Sequence, residues 1–242
     1  DLNIIMAACK FVDDVTLTEI KDQSNMSQMQ LAADQVAAWS HHNFMNINTK
    51  KTKDMLFGRI FKYPPPQIVF NTGAVDRVTS FKLLGVIITD NLSWENHVNA
   101  VCAKAGTRLH FLKLLKCSPV TFNDLLQYYK AIIRPVIEYA CPVWQSGLTV
   151  EQRSRLESIQ RRALHIISGS LDYEPTCVLY DIETISARLD NLTRSFFKRI
   201  SGSDDCLNYL LPPERPAEVI NRLRQPNKLP GITCRTERYF KS

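Results

Sequence analysis

The sequence predicts an α+β protein in which short antiparallel strands and one helix precede an all-helical region. Three observations lead there. Up to about residue 92 the apolar residues stand in short runs of strand formers broken by polar, Gly or Pro turns. From Ser93 onward they recur at helical spacing. The charge changes close to the same place: residues 1–100 carry 9 Lys/Arg and 10 Asp/Glu, residues 101–200 carry 14 and 9, and the last 42 carry 7 and 5. A near-neutral first part followed by basic helices fits an anionic partner for the second part, or simply a solvated Lys/Arg surface.

Residues 4–17 read as two short strands around Asp13 and Asp14, with Phe11, Val12, Val15 and Leu17 as strand formers. Both acids then sit at the tip of a tight hairpin, since Asp tolerates turn conformations. Residues 27–46 read as a helix capped by Ser27 or Asn25, with Met29, Ala32, Val36, Trp39 and Met45 on one face. A polar turn over 46–52 leads to a strand over 53–57, closed by Gly58. Tyr63-Pro64-Pro65-Pro66 is a stiff connection, and strands are expected over 67–71 and 80–89, with Thr72-Gly73 turning the chain between them.

The helical part begins after a Ser93 cap, with Val98, Val101, Ala105, Leu112 and Leu115 as its stripe. Thr121 to Asp124 form a capping box for a helix through Leu125, Tyr128, Tyr129, Ile132 and Ile133, which Pro135 interrupts near Arg134. A second box, Thr149 to Gln152, opens a helix with Leu156, Ile159, Ala163 and Ile166 inward. Ile185, Leu189, Leu192, Phe196 and Ile200 mark a further helix. Beyond Gly202 five prolines break every run except a short helix over 217–223, and a loosely ordered tail is expected. This divides the chain into 1–92, 93–202 and 203–242.

At 45% hydrophobic and 22% charged residues the chain can bury a core. Its seven cysteines include no C-x-x-C pair, so no zinc framework is visible. Their odd number and the lack of a secretory signal point to reduced thiols in an intracellular protein of nucleus or cytoplasm, most of them small buried residues. No apolar run reaches the length of a membrane span. The chain opens on Asp1 and enters Ile4-Ile5-Met6-Ala7-Ala8 almost at once, as a cut through a larger domain would; a processed terminus gives the same start.

Phe11-Val12-Asp13-Asp14 is the strongest chemical signal. Paired carboxylates on a rigid hairpin suit two-metal nucleotidyl transfer, in which one cation activates a 3′-hydroxyl and the other stabilises departing pyrophosphate. Mg²⁺ (or Mn²⁺) fits, because it binds hard oxygens and keeps positions open for water and phosphate. Taken alone, an Asp-Asp between strands is an ordinary acidic turn.

Its surroundings add a resemblance. Lys10-Phe11-Val12-Asp13-Asp14-Val15-Thr16-Leu17 resembles the aromatic-x-Asp-Asp motif of reverse transcriptases. Ile47-Asn48-Thr49-Lys50-Lys51-Thr52, continuing to Gly58, resembles the next motif of that family. Phe81-Lys82-Leu83-Leu84-Gly85-Val86, continuing to Trp94, resembles its primer-grip hairpin. Tyr129 to Trp144, with Ile133-Arg134-Pro135 and Tyr139-Ala140-Cys141-Pro142, and Leu156 to Leu164 look like the thumb of non-LTR (LINE-type) retrotransposon enzymes. The resemblance spans roughly residues 4–200.

It implies a partial palm over 1–92 and an all-α thumb-like region over 93–202, acting in the complete polymerase on an RNA template/DNA primer hybrid and dNTP, with no membrane partner. Asp13 would be a metal ligand and Asp14 its companion. Lys51 would stand near the incoming triphosphate as a proton donor to pyrophosphate, or be a surface lysine. Lys82, Leu84 and Gly85 would form the primer grip, with Gly85 equally explained by a bend in a strand. Arg108, Lys113, Lys116, Lys130, Arg161 and Arg162 would be candidates to meet phosphates of the duplex, although any one of them taken singly reads first as a solvated surface charge; Tyr139 and Trp144 read as core.

The family needs a third carboxylate on an earlier palm strand and a fingers region, and only twelve residues precede Asp13. The fragment alone is therefore expected not to polymerise. Two other classes stay open: a non-catalytic nucleic-acid-binding module derived from such an element, and a protein-interaction module. An iron/2-oxoglutarate oxygenase is excluded, since none of His41, His42, His97, His110 and His165 has an acid two residues later. Flavin and P-loop readings lack their Gly-rich loops.

Overall fold

The computed structural model describes residues 7–21, 26–58, 64–169, 172–202, 205 and 207–222. The expected strand start over 4–6, the Asn25 cap and most of the Pro-rich tail lie outside them. The chain divides into two compact units, Asp1–Ser93 and Trp94–Ser242.

The first unit is mixed α/β. β1 (Ala7–Phe11) and β2 (Asp14–Thr18) form an antiparallel hairpin with Phe11 opposite Asp14. Helix α1 (Met29–His42) buries Ala32, Ala33 and Ser40, while Val36 and Trp39 are half-buried and Met45 is exposed. Gln28, not Ser27, occupies its N-cap position. Ser27 still helps there, because its hydroxyl accepts the Met29 N–H at 3.3 Å. The following strands are shorter than expected: β3 (Lys53–Asp54), β4 (Val69–Phe70), β5 (Gly73–Ala74) and β6 (Asp76–Arg77). β4 and β5 pair antiparallel across Asn71-Thr72. The expectation of antiparallel strands fails for β3 and β6, which pair in parallel. Two ion pairs between the same strands hold that register: Lys53 with Asp76 at 2.6 Å and Arg77 with the mostly buried Asp54 at 2.7 Å. Gln30 on α1 bonds both the N–H and the carbonyl of Val69, at 2.9 Å each, so its amide acts as a surrogate strand for β4.

β7 (Ser80–Leu83) and β8 (Val86–Thr89) form the second clear hairpin. Its two-residue turn is Leu84-Gly85, with φ of 45° and 89°. Positive φ at both positions defines the turn that matches strand twist. Gly85 is therefore a turn glycine, not a bend inside a strand.

The second unit is helical. α2 (Glu95–Lys116) starts after Trp94, which has no side-chain cap bond, so Ser93 is not its N-cap. α3 (Phe122–Tyr128) passes through one π-helical turn, Tyr129–Ile133, into α4 (Arg134–Glu138). Pro135 lacks an N–H for the helix ladder, and the widened turn absorbs that loss without ending the helix. Arg108 of α2 donates to the Ile132 carbonyl in this turn. α5 (Cys141–Trp144), α6 (Val150–Ser168), α7 (Tyr173–Leu179), α8 (Ile185–Ile200) and α9 (Ala217–Ile220) complete the order.

α2 and α6 run parallel. Glu95 at the start of α2 meets Gln152 at 3.0 Å and Arg155 at 2.6 Å near the start of α6, and Lys116 at its end donates to Ile167 at 2.9 Å. The stripes of both helices are buried: Val98, Val101, Ala105, Leu109 and Leu112 on α2, and Leu156, Ile159, Ala163, Leu164 and Ile167 on α6. Ile166, expected inward, is only half-buried, because the stripe turns through Leu164 and Ile167. Trp144 is fully buried and donates from Nε1 to the Tyr139 carbonyl at 3.0 Å. Tyr139 itself is 55% exposed, contrary to its reading as core. Gly147 lies so close under Trp94 that a Cβ there would stand 2.5 Å from the indole nitrogen. Among the described cysteines Cys141 and Cys177 are buried, Cys102 is half-buried, and Cys9 and Cys117 are exposed.

Thr149 and Gln152 form the expected reciprocal capping box, with bonds of 3.2 and 3.0 Å. Thr149→Ala is expected to cost about 1 kcal/mol, read from the urea midpoint of the helical unit. Thr121 caps α3 through the Asp124 N–H at 3.3 Å, but the Asp124 carboxylate accepts from the Thr121 hydroxyl, so that box is only half made.

His97 is buried between Trp94 and Trp144, with ring centroids 6.2 and 5.3 Å away. Burial lowers its pKa, since the cation is poorly solvated there. A base with a depressed folded pKa contributes stability above its unfolded pKa and loses it as pH falls toward the folded value. The unfolding midpoint is therefore expected to drop below about pH 6.5, and His97→Phe should flatten that drop.

Candidate active site

The hairpin of β1 and β2 places Asp13 in its two-residue turn and Asp14 at the first position of β2, both exposed. The turn is built on Val12, whose φ is 57°. That left-handed conformation at the first turn position suits Gly and is an outlier for a β-branched residue. Such strain costs on the order of 1–3 kcal/mol and collects at functional sites. Val12→Gly is expected to stabilise the hairpin by about 1 kcal/mol, read from amide exchange of β1 and β2.

Lys51 sits exposed in the turn after α1. Asn48 builds that turn: its backbone and side-chain oxygens accept the Lys51 N–H at 3.0 and 3.1 Å, and its carbonyl also accepts the Thr52 N–H and hydroxyl, each at 3.0 Å. The Asn-x-x-Lys-Thr pattern thus has a local cause, since the Asn folds the loop that presents the Lys. Lys82 lies exposed on β7, with Leu84 and Gly85 in the adjoining turn.

Mg²⁺ would find hard oxygen donors in Asp13 and Asp14, so the pair fits the cation in donor type. It does not complete a site, because no group of three His, Cys, Asp or Glu side chains able to hold a metal occurs among the described residues.

The basic candidates fall into different roles. Arg108 and Lys116 are tied to the carbonyls of Ile132 and Ile167. Arg161 stacks on Tyr173 with its guanidinium 5.0 Å from the ring centroid. Lys130 is half-buried in the π turn, while Lys113 and Arg162 are exposed.

A buried polar network in the helical unit escaped the sequence reading. Gln160 on α6 is fully buried. Its Oε1 accepts from the Tyr129 hydroxyl, and its Nε2 donates to the Tyr173 hydroxyl and the Glu183 carbonyl, at 2.8 Å each. Tyr173 donates onward to Glu157, whose carboxylate accepts the Ile185 and Ser186 N–H groups at 3.1 Å, at the start of α8. Burial pushes the hydroxyls of Tyr129 and Tyr173 far above the usual phenol range, and the Glu157 carboxylate adds to this for Tyr173. Both remain protonated donors. The one hint in the sequence is a Gln four residues after Leu156 on the apolar stripe.

The chain shows weak, partial-length similarity to transposon-encoded reverse transcriptases. It is 24% identical over 227 residues to a probable RNA-directed DNA polymerase from transposon X-element of Drosophila melanogaster, covering 90% of this chain and 25% of that protein. It is 22% identical over 228 residues to the RNA-directed DNA polymerase from mobile element jockey of Drosophila funebris, covering 89% and 24%. The chain thus spans about a quarter of the length of the curated relatives it matches. No family model matches, and no solved structure matches.

Proposed function

We infer that this chain is the part of a non-LTR retrotransposon reverse transcriptase that carries the Asp-Asp hairpin, the primer grip and the thumb. The observation that carries this reading is the hairpin itself: adjacent Asp13 and Asp14 at a two-residue turn strained at Val12, in a chain similar along nine-tenths of its length to RNA-directed DNA polymerases. Asp13 and Asp14 would hold Mg²⁺ (or Mn²⁺) together with a carboxylate from outside the described residues. The cations, when bound, supply Lewis-acid stabilisation of nucleotidyl transfer. Lys51, presented by the Asn48 turn, would give a proton to the leaving pyrophosphate. Lys82, Leu84 and Gly85 would support the primer end, and of the basic candidates Lys113, Lys116, Arg161 and Arg162, all exposed, would be the ones to meet duplex phosphates.

The test is primer extension on an RNA template by a full-length element protein carrying this segment. Asp13→Asn should abolish extension while hybrid binding persists. Binding that falls steeply with salt and ignores Asp13→Asn, in a protein that never extends a primer, would instead mark a non-catalytic nucleic-acid-binding module.

No helix among the described residues is long and apolar enough to cross a membrane.

A further inference from the structure

The Asp13–Asp14 hairpin is a two-stranded ribbon, and such a ribbon alone is only marginally ordered. Two side-chain anchors tie it to α1. At one end Glu19, the residue after β2, has both carboxylate oxygens engaged at the start of α1: Oε2 accepts from the Ser27 hydroxyl at 2.6 Å and Oε1 from the Gln28 N–H at 2.8 Å. At the other end Lys10 of β1 places its Nζ 5.0 Å from the ring centroid of Trp39, in the last turn of α1.

The spans of the two anchors agree. From Gln28 to Trp39 a helix advances roughly 16 Å. Lys10 lies opposite Val15 in the ladder, and from Val15 to Glu19 a strand advances roughly 13 Å. β2 therefore runs antiparallel to α1, and the hairpin tip points toward the C-terminal end of the helix. The pleat then sorts the side chains. Cross-strand partners share a face, so Lys10 and Val15 lie on the α1 side together with Ala8 and Leu17, while Phe11 and Asp14 lie on the other. On the α1 side Val15 and Leu17 are half-buried while Ala8 and Lys10 are exposed; on the other side Phe11 is 60% exposed and Thr16 half-buried. The face assignment therefore rests on the ladder register and the Lys10–Trp39 contact.

We propose that Lys10 and Trp39 are positioning residues: their cation–π contact fixes which face of the hairpin carries Asp14 and holds the tip carboxylates in place for a divalent cation. This rests on the reading of Asp13 and Asp14 as cation ligands. The sign of the effect separates positioning from charge. As a mere positive charge near the tip, Lys10 would repel a cation, and Lys10→Met would tighten binding. As a positioning residue, its loss weakens binding. Trp39→Leu changes no charge at all.

The experiment is a Mn²⁺ titration of the 242-residue chain, followed by paramagnetic broadening of the Asp13 and Asp14 amide signals; the same spectra show that each variant is folded. Lys10→Met and Trp39→Leu should each weaken Mn²⁺ binding roughly two- to fivefold, and Lys10→Arg should restore it. If Asp13→Asn removes the broadening but either Lys10→Met or Trp39→Leu leaves the affinity unchanged or raised, the positioning role is overturned and the site reading stands. If Asp13→Asn leaves the broadening intact, the site reading fails and the positioning role falls with it. If the wild-type chain shows no broadening, the positioning role is overturned, while the site reading, which calls for a further carboxylate, is decided by primer extension with the full-length protein.

Discussion

Asp13→Asn, made in a full-length protein that carries this segment, is expected to reduce primer extension by roughly 10³-fold or more if Asp13 is the cation ligand proposed above, because a carboxylate–cation interaction of several kcal/mol in the transition state would be removed. Asparagine keeps the shape and one acceptor oxygen but loses the charge. The fold should not respond. Asp13 is exposed in a turn and asparagine tolerates turn conformations well, so the unfolding midpoint of the variant should match the wild type. Asp14→Asn should also be severe, and Asp14→Glu should not rescue, since one added methylene moves the oxygens away from a rigid strand end. Steady-state incorporation beside a thermal melt separates lost chemistry from lost structure. An equal fall in both would show that the hairpin acids serve folding.

Gln160→Ala is expected to destabilise the helical unit by about 3 kcal/mol. The substitution leaves the buried Tyr129 hydroxyl and the Glu183 carbonyl without their shared partner, and it opens a cavity beneath α7. Each stranded polar group costs about 1–3 kcal/mol. Tyr129→Phe alone should cost less, near 1 kcal/mol, because it removes a donor and strands only the amide oxygen of Gln160. The double variant Tyr129→Phe/Gln160→Leu should therefore be more stable than the sum of its singles. Urea denaturation followed by Trp144 fluorescence reads all of these; strict additivity would show that the network is not coupled.

Legibility in the sequence followed the range of the interaction involved. The Asp13–Asp14 hairpin was visible because strand formers flank two turn-tolerant acids, yet nothing in the sequence shows that Val12 takes the strained position. The stripe of α2 and the capping box of α6 were legible because both are local, set by spacings of three and four residues. Ser93 misled as a cap because residue type alone cannot say where the first helical turn closes. The parallel bridge of β3 and β6 could not be read, since its register depends on Lys53–Asp76 and Asp54–Arg77 pairs between segments far apart in the chain. From charge alone Arg108 and Lys116 are candidates for phosphate contact or solvated surface charges. Their capping of Ile132 and Ile167 depends on how α2 lies against its neighbours. Gln160 and Glu157 carry no local signal beyond a polar residue on an apolar stripe, and their role appears only once α6, α7 and α8 are assembled.

The most direct test of the reverse-transcriptase reading compares extension of a DNA primer on an RNA template by two purified proteins: the 242-residue chain, and an element protein of the relatives' full length that contains it with an intact carboxylate upstream of the hairpin. The account predicts Mg²⁺-dependent extension by the longer protein and none by the 242-residue chain, where no third carboxylate joins Asp13 and Asp14 among the described residues. Extension by the shorter chain, or an inert longer protein that nevertheless binds the hybrid, would contradict it.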